Sequence, residues 1–327
     1  MANGKVIGIE IGNYRMKLVS NAGGEIRQFV SEVLPDDSVK DGMITYWDAM
    51  SQFLRETVKA HGISGKKTVM AIPMSAVFIR RTKLPLMTVE QLKINLPFEF
   101  HDYITEDMNK YIYDYAVMNR TENGMELLAV ACSKEIINKY KTMCKAARLN
   151  LVGLVPEAIG LQRIIQRYNE AGGITDKDYA VLDLGDRSLK LHFFKNGVYE
   201  ITRNLEPGCH DIANAVAELE GKDIHISKLQ LEQNAEQIPE SETVSDLYGN
   251  IAVQIMRVLN FYSFNNPANT IDTLYYCGGG SKYPKLLEEI AGQVSLPLKR
   301  MTELMPGLTP ELEAEIIRCP QCCGITF

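Results

Sequence analysis

The sequence predicts an α/β chain of two related domains, and three stretches carry that expectation. In the first, Tyr179-Ala-Val-Leu182 runs through Asp183-Leu-Gly-Asp-Arg-Ser188 into Leu189-Lys-Leu-His-Phe-Phe194. Short apolar runs on either side of a Gly-containing break read as two strands and a tight turn. The second repeats that pattern at the N-terminus. Lys5-Val-Ile-Gly-Ile-Glu10-Ile-Gly-Asn-Tyr-Arg-Met-Lys17-Leu-Val19 aligns with it at one offset, setting Glu10 on Asp183, Gly12 on Gly185, Lys17 on Lys190 and Leu18 on Leu191. The third, Ile271 to Ile290, reads as a buried strand, the turn Gly278-Gly-Gly280 with Ser281 placed to cap a helix, and an amphipathic helix.

In each hairpin the glycine lets the backbone approach a ligand, and neighbouring amides can converge into an anion-binding nest. The acids just before them, Glu10 and Asp183, suit a hydrated cation. Either hairpin alone is equally well an ordinary one with a polar tip. Their common register favours function, with both turns facing one phosphate group from opposite sides.

A length of 327 residues predicts about two domains, and 46% hydrophobic with 23% charged residues permits sizeable cores. A net charge of -6 gives no general attraction to nucleic acid or anionic lipid. No apolar run approaches the roughly 18 residues of a membrane helix. Glu10 interrupts the first apolar stretch, where a signal peptide would stay apolar. Seven Cys, single except near the end, suit a reducing compartment, so the expected location is cytoplasmic.

Along the chain, Ile26 to Leu34 reads as a strand, Pro35-Asp-Asp37 as its turn, and Trp47 to Ala60 as a helix with Met50, Phe53, Leu54 and Val58 on one face. Trp47 at its start reads as core. Gly65-Lys-Lys-Thr68 lacks P-loop spacing and follows a helix, so it reads as the turn into the strand Thr68 to Ile72. Val77 to Leu84 alternates as a strand with Arg80, Arg81 and Lys83 on a solvated face, and Leu84-Pro85 marks a boundary. There follow a helix Val89 to His101, strands Tyr111 to Asn119 and Met125 to Cys132 joined at Thr121-Glu-Asn-Gly124, a helix Lys134 to Ala147 and a strand Leu151 to Leu154.

A helix starts at Glu157. Beyond the central hairpin come a strand Tyr199 to Arg203, helices Ile212 to Leu219 and Ser227 to Gln233, a polar loop to Thr243, and a long helix Val244 to Asn265 on which Arg257 covers the surface or reaches a ligand. Cys319-Pro-Gln-Cys322-Cys323 supplies half of a zinc site without a second pair, so these read as small buried thiols.

In order, the three stretches resemble the phosphate-1, phosphate-2 and adenosine motifs of the actin-like ATPase superfamily of actin, Hsp70, sugar kinases and FtsA. The closest resemblance is to the PilM proteins of type IV pilus assembly. It is carried by Pro97-Phe-Glu99, Tyr103-Ile104, Tyr113-Asp-Tyr-Ala-Val117, Leu127-Leu-Ala-Val-Ala131, Lys134-Glu135, Ala147-Arg-Leu149, Pro156-Glu-Ala158 and Met256-Arg-Val-Leu-Asn-Phe-Tyr262. It implies an actin-like, ribonuclease H-like two-domain fold with the extra subdomain of FtsA and PilM. Residues 1–84 with 155–177 would form the first subdomain and 85–154 the extra one. Residues 178–208 with 244–327 would form the second, and 209–243 a small insertion.

The resemblance further implies an interdomain site for ATP. Gly12, Asn13, Tyr14, Arg15 and Lys17 would meet the phosphates from one side, and Gly185, Asp186, Arg187 and Ser188 from the other. Gly208 stands in the family's Gly-rich turn near the nucleotide, and Gly278, Gly279, Gly280 and Ser281 take the adenosine. Glu10 and Asp183 would hold Mg²⁺ through water. Glu157, at the first interdomain connection, is the candidate for orienting the attacking water; it equally suits a helix start.

Two departures bear on this. Asn13-Tyr14-Arg15 and Asp186-Arg187 are bulkier or more charged than the family's small residues, so binding is expected to be weak or lost and turnover at most slow. The implied partner is the N-terminal cytoplasmic peptide of a PilN-like inner-membrane protein, held in a groove by the extra subdomain, with self-association a further expectation. An FtsA-like filament-forming division protein would instead continue past Phe327 into an amphipathic membrane helix. A small-molecule kinase would need an acceptor pocket that the small extra subdomain does not suggest.

Overall fold

The computed structural model describes residues 4–40, 42–233 and 241–327, and the two aligned hairpins found in the sequence head two five-stranded sheets of the same topology. In the first the spatial order is Asn150–Pro156, Lys67–Ile72, Lys5–Ile11, Arg15–Ala22, Glu25–Val33; in the second it is Leu298–Arg300, Leu274–Cys277, Tyr179–Leu184, Leu189–Lys195, Val198–Leu205. The leading strand of each hairpin is antiparallel to its hairpin mate and parallel to its other neighbour. Central strands of such a sheet are covered on both faces and read as continuous apolar runs. Tyr179–Leu184 is accordingly buried at every residue. The registers also agree, Glu10 lying opposite Lys17 and Asp183 opposite Lys190.

Helices Trp47–Ala60 and Lys134–Ala146 cover the first sheet, with Met50, Leu54, Tyr140 and Met143 in the core. Trp47 packs edge-on against Tyr140 at 5.1 Å between centroids, a core position as expected. Helices Cys209–Glu220, Glu242–Asn265 and Pro284–Gln293 cover the second sheet around Leu182, Leu191, Ile212, Ile251 and Ile290. Between the sheets lie the connecting helix Glu157–Gly172 and the short helix Pro320–Gly324, in one cluster with Val19, Tyr179 and Phe194. These two helices meet backbone to backbone. A Cβ on Gly324 would stand 1.9 Å from the Gly160 carbonyl oxygen, and one on Gly160 2.6 Å from that of Gln321.

A third sheet has Gly124–Ser133 between Val77–Leu84 and Tyr111–Thr121, over a core of Leu92, Leu96, Phe100 and Leu127. The boundaries drawn at 84/85 and 154/155 cut across this packing. Val77–Leu84 pairs along its whole length inside the third sheet. Lys134–Ala146 and Asn150–Pro156 belong to the first sheet and its core. Sequence separation had placed them with their chain neighbours, whereas pairing decides otherwise.

Local differences have local causes. The expected helix Val89 to His101 is α-helical only over Val89–Asn95, behind a Thr88–Gln91 capping box, and tightens to a 3₁₀ turn at Leu96–Phe100, where Pro97 has no N–H to donate. Arg80 and Arg81, expected on a solvated face, pair with Glu99 and Glu126. Ser281 caps nothing: Gly279–Lys282 forms a 3₁₀ turn, the helix starts at Pro284, and the Ser281 hydroxyl is buried without a partner. Most of the expected loop before Thr243 lies outside the described residues, and the long helix begins at Glu242.

Gly324→Ala is expected to cost about 1–3 kcal/mol, the usual range for overpacking. Denaturant midpoints of the two proteins check this, with Gly292→Ala as a comparison at a helical position that meets nothing within 4 Å.

Candidate functional site

The two hairpin turns face each other across the gap between the sheets, and the Gly278–Gly280 turn closes one end. Within this cleft the structure brings together Glu10, Gly12, Asn13, Tyr14, Arg15, Lys17, Glu157, Asp183, Gly185, Asp186, Ser188, Gly278, Gly279 and Gly280. It leaves three predicted residues outside the lining. Arg187 points to solvent with 58% of its side chain exposed. Gly208 lies behind the second turn, where a Cβ would stand 2.4 Å from the Asp186 carbonyl oxygen. There the amides of Cys209 and His210, at the start of their helix, bond the carbonyls of Gly185 and Asp186 and brace the turn. Ser281 is the third. Gly278 has φ 95°, and a Cβ there would fall 2.4 Å from an Asp183 carboxylate oxygen, so that only glycine lets the turn pass the acid.

Four cations of the cleft pair with carboxylates. Lys17 donates to Glu10 at 2.8 Å across the first hairpin. Lys190, the matching residue of the second, passes over its cross-strand neighbour Asp183 and donates to Glu157 at 2.6 Å. Glu157 also accepts the Met74 amide at 3.3 Å. Lys228 pairs with Asp186, and Arg318 holds Glu232 by two bonds of 3.0 Å. Among the described residues no three His, Cys, Asp or Glu are grouped to hold a metal directly, the terminal cysteines included.

These partners set the protonation states. Burial opposes charge on Lys17, but the Glu10 carboxylate outweighs it and the ammonium is held more firmly than in free lysine. Burial likewise opposes charge on Glu157, and the Lys190 ammonium reverses this, holding the acid below its ordinary value. Asp183 lacks such a partner. Burial pushes its carboxyl up to about 6, with Lys190 only partly offsetting and Glu157 and Glu10 adding to the rise. On the neighbouring strand, two residues beyond Lys190, burial drives His192 down to about 4. It is fully buried, with Nδ1 on the Thr202 hydroxyl at 2.8 Å and Nε2 unpaired.

The helix Ile224–Gln233 covers the cleft as a lid. Lys228 sits 3.6 Å above the Tyr14 ring, and His225 reaches the Tyr14 hydroxyl at 3.3 Å and Asp36 at 3.3 Å. The cleft measures about 810 Å³ with its open mouth. Sequence reasoning had read this helix as part of a small insertion and missed Lys228, Glu232, Arg318 and Gln321. Gln321 had a signal: it is a lone amide among small apolar residues. Lys190 had been aligned with Lys17 without being given a role.

The family model for the type IV pilus assembly protein PilM matches residues 8–304. Among solved structures, a chain of the PilM-PilN type IV pilus biogenesis complex is similar at TM-score 0.82 and 20% identity, over 99% of this chain and 98% of that one. The ethanolamine utilization protein EutJ from Carboxydothermus hydrogenoformans is similar at TM-score 0.61 and 14% identity, over 99% and 91%. Ta0583, an archaeal actin homolog, is similar at TM-score 0.51 and 12% identity, over 98% of each chain. No curated protein matches by sequence.

His192 predicts an acid limb in stability. Its folded pKa lies near 4 and its ordinary value is 6.5, so stability is full above pH 6.5 and falls as pH drops towards 4, by up to about 3 kcal/mol. Asp183 acts in the opposite sense, from its ordinary 3.8 to about 6. Melting curves of the wild type and His192→Asn from pH 7.5 to 4.5 isolate the first effect, and the variant should lose less stability than the wild type over that range.

Proposed function

The chain belongs to the PilM family of type IV pilus assembly proteins and has the actin-like fold, and from that premise we propose that it is a cytosolic nucleotide-binding scaffold that grips the N-terminal peptide of a PilN-like inner-membrane protein. One observation carries the nucleotide half: two hairpins far apart in the chain deliver the same acid, glycine and lysine to opposite walls of one cleft, with a glycine turn at its end. The backbone of both turns reaches phosphates, and Gly278–Gly280 leaves room for a base. Glu10 and Asp183 are hard oxygen donors, too few for direct coordination, which suits Mg²⁺ bound through its own waters. When bound, that ion would draw charge from the phosphates.

Turnover should be slow. Glu157, the candidate for orienting water, is already engaged by Lys190 and the Met74 amide. The extra negative charge of Asp186 is met by Lys228, which answers the concern that it would repel phosphate. A nucleotide there would also lie against Lys228 and Glu232 of the covering helix. Such a site suits a conformational switch better than a fast enzyme.

The peptide half is supported by a second surface. Asn150–Pro156 is the edge of its sheet. Beside it the open face of the third sheet forms an apolar groove with Val77, Ile112, Val130, Val152 and Leu154. Ile112 and Val152 are 45% and 55% exposed. An extended peptide finds there both backbone groups for strand pairing and pockets for alternate side chains. Among the described residues no helix is long and apolar enough to cross a membrane, so the PilN-like partner would supply the tether to the inner face.

ATP or ADP at millimolar concentration with Mg²⁺ should raise the melting temperature, with turnover far below the ~10 s⁻¹ median of enzymes; an unchanged melt rejects the nucleotide half. Separately, a fluorescent peptide from the N-terminus of the neighbouring PilN-like protein should bind. Val152→Arg should weaken it at least tenfold without altering the melt, and equal binding by wild type and variant rejects the groove.

A further inference from the structure

Glu10 and Asp183 occupy matching places, yet their partners differ. Glu10 has the ammonium of Lys17, whereas Asp183 has only an amide: Gln321 donates Nε2–H to its Oδ2 at 3.2 Å. That orientation is dictated by chemistry. An ionised carboxylate accepts and cannot donate, so it takes the NH₂ end and leaves the carbonyl end free. Among the described residues Gln321 Oε1 accordingly has no partner, and it is buried on a residue only 3% exposed that lines the cleft.

We propose that Gln321 is a positioning residue for the hydrated divalent cation of the nucleotide, its NH₂ fixing Asp183 and its Oε1 accepting a hydrogen bond from a cation-bound water. The inference rests on the nucleotide reading above. A buried acceptor of this kind calls for a donor. Lys17 and Lys190 already serve Glu10 and Glu157. A phosphate brings only acceptors and would be repelled by Oε1. The water shell of a divalent cation presents hydrogens outward, which Asp183 and Gln321 can accept side by side. A purely packing role gives no reason for the amide, since Leu or Met fills a similar volume among Cys319, Cys322 and Cys323 without an orphaned oxygen.

The test uses the full chain, ADP, and Mn²⁺ as a paramagnetic probe. Outer partners of a metal site are typically worth ten- to a hundredfold in metal affinity. Gln321→Leu should weaken Mn²⁺ binding to the ADP complex at least tenfold by electron paramagnetic resonance titration, while ADP affinity in EDTA stays the same. Gln321→Met, the closer match in shape, should do likewise and guards against a folding defect in the leucine variant. Unchanged Mn²⁺ affinity in the variants overturns the assignment. An equal loss with and without metal also overturns it, since that is the mark of packing alone. If the wild type binds no ADP with Mg²⁺ present, the nucleotide reading falls and this inference with it.

Discussion

Lys190 stands between two buried carboxylates and bonds only one of them. Its choice of Glu157 over Asp183 orders much of the cleft. The bond at 2.6 Å ties the second hairpin to the start of the connecting helix. It keeps Glu157 ionised despite full burial and leaves Asp183 among negative neighbours with an amide for company. An ion pair this buried contributes little net stability, because desolvation offsets most of the attraction. Its worth lies in geometry, since it holds three charged groups within reach of one ligand.

How far the sequence foretold this depends on what each residue needed. The hairpins were legible because their evidence is local: an apolar run, an acid, a glycine and a lysine at fixed spacing, stated twice. The core positions of Met50 and Leu54 were legible as well, from the spacing of one helix face. Residues acting across long separations were not legible. Lys228 meets Asp186, and Arg318 meets Glu232, over 42 and 86 positions. Nothing local to either residue names its partner. Val77–Leu84 failed for a related reason, as its strand character was plain but its pairing partner, Gly124–Ser133, comes after a helix and another strand. Ser281 failed in the other direction: a plausible cap by sequence, it was overruled by the 3₁₀ turn that Gly279–Lys282 prefers.

The bulky first turn, Asn13-Tyr14-Arg15, looked from sequence like an obstacle to phosphate. In the fold it has work of its own. Asn13 accepts the Gly42 amide at 2.9 Å, and Tyr14 supplies the ring under Lys228 and the hydroxyl for His225. Cation–π contacts of this kind contribute about 0.5–2 kcal/mol. Of the bulky residues in this turn, Tyr14 is therefore the one that ties the helix Ile224–Gln233 to the first hairpin.

The crossing of Gly160 and Gly324 bears on how such a molecule moves. Where two backbones touch with no side chain between them, sliding one along the other drives carbonyls into α-carbons almost at once. Rotation about the point of contact meets no such barrier. Glu157 lies one helical turn from that crossing and the far end of its helix more than three turns beyond. A rotation about this crossing would shift the buried charges little and the far end of the helix more, as about a fulcrum with unequal arms.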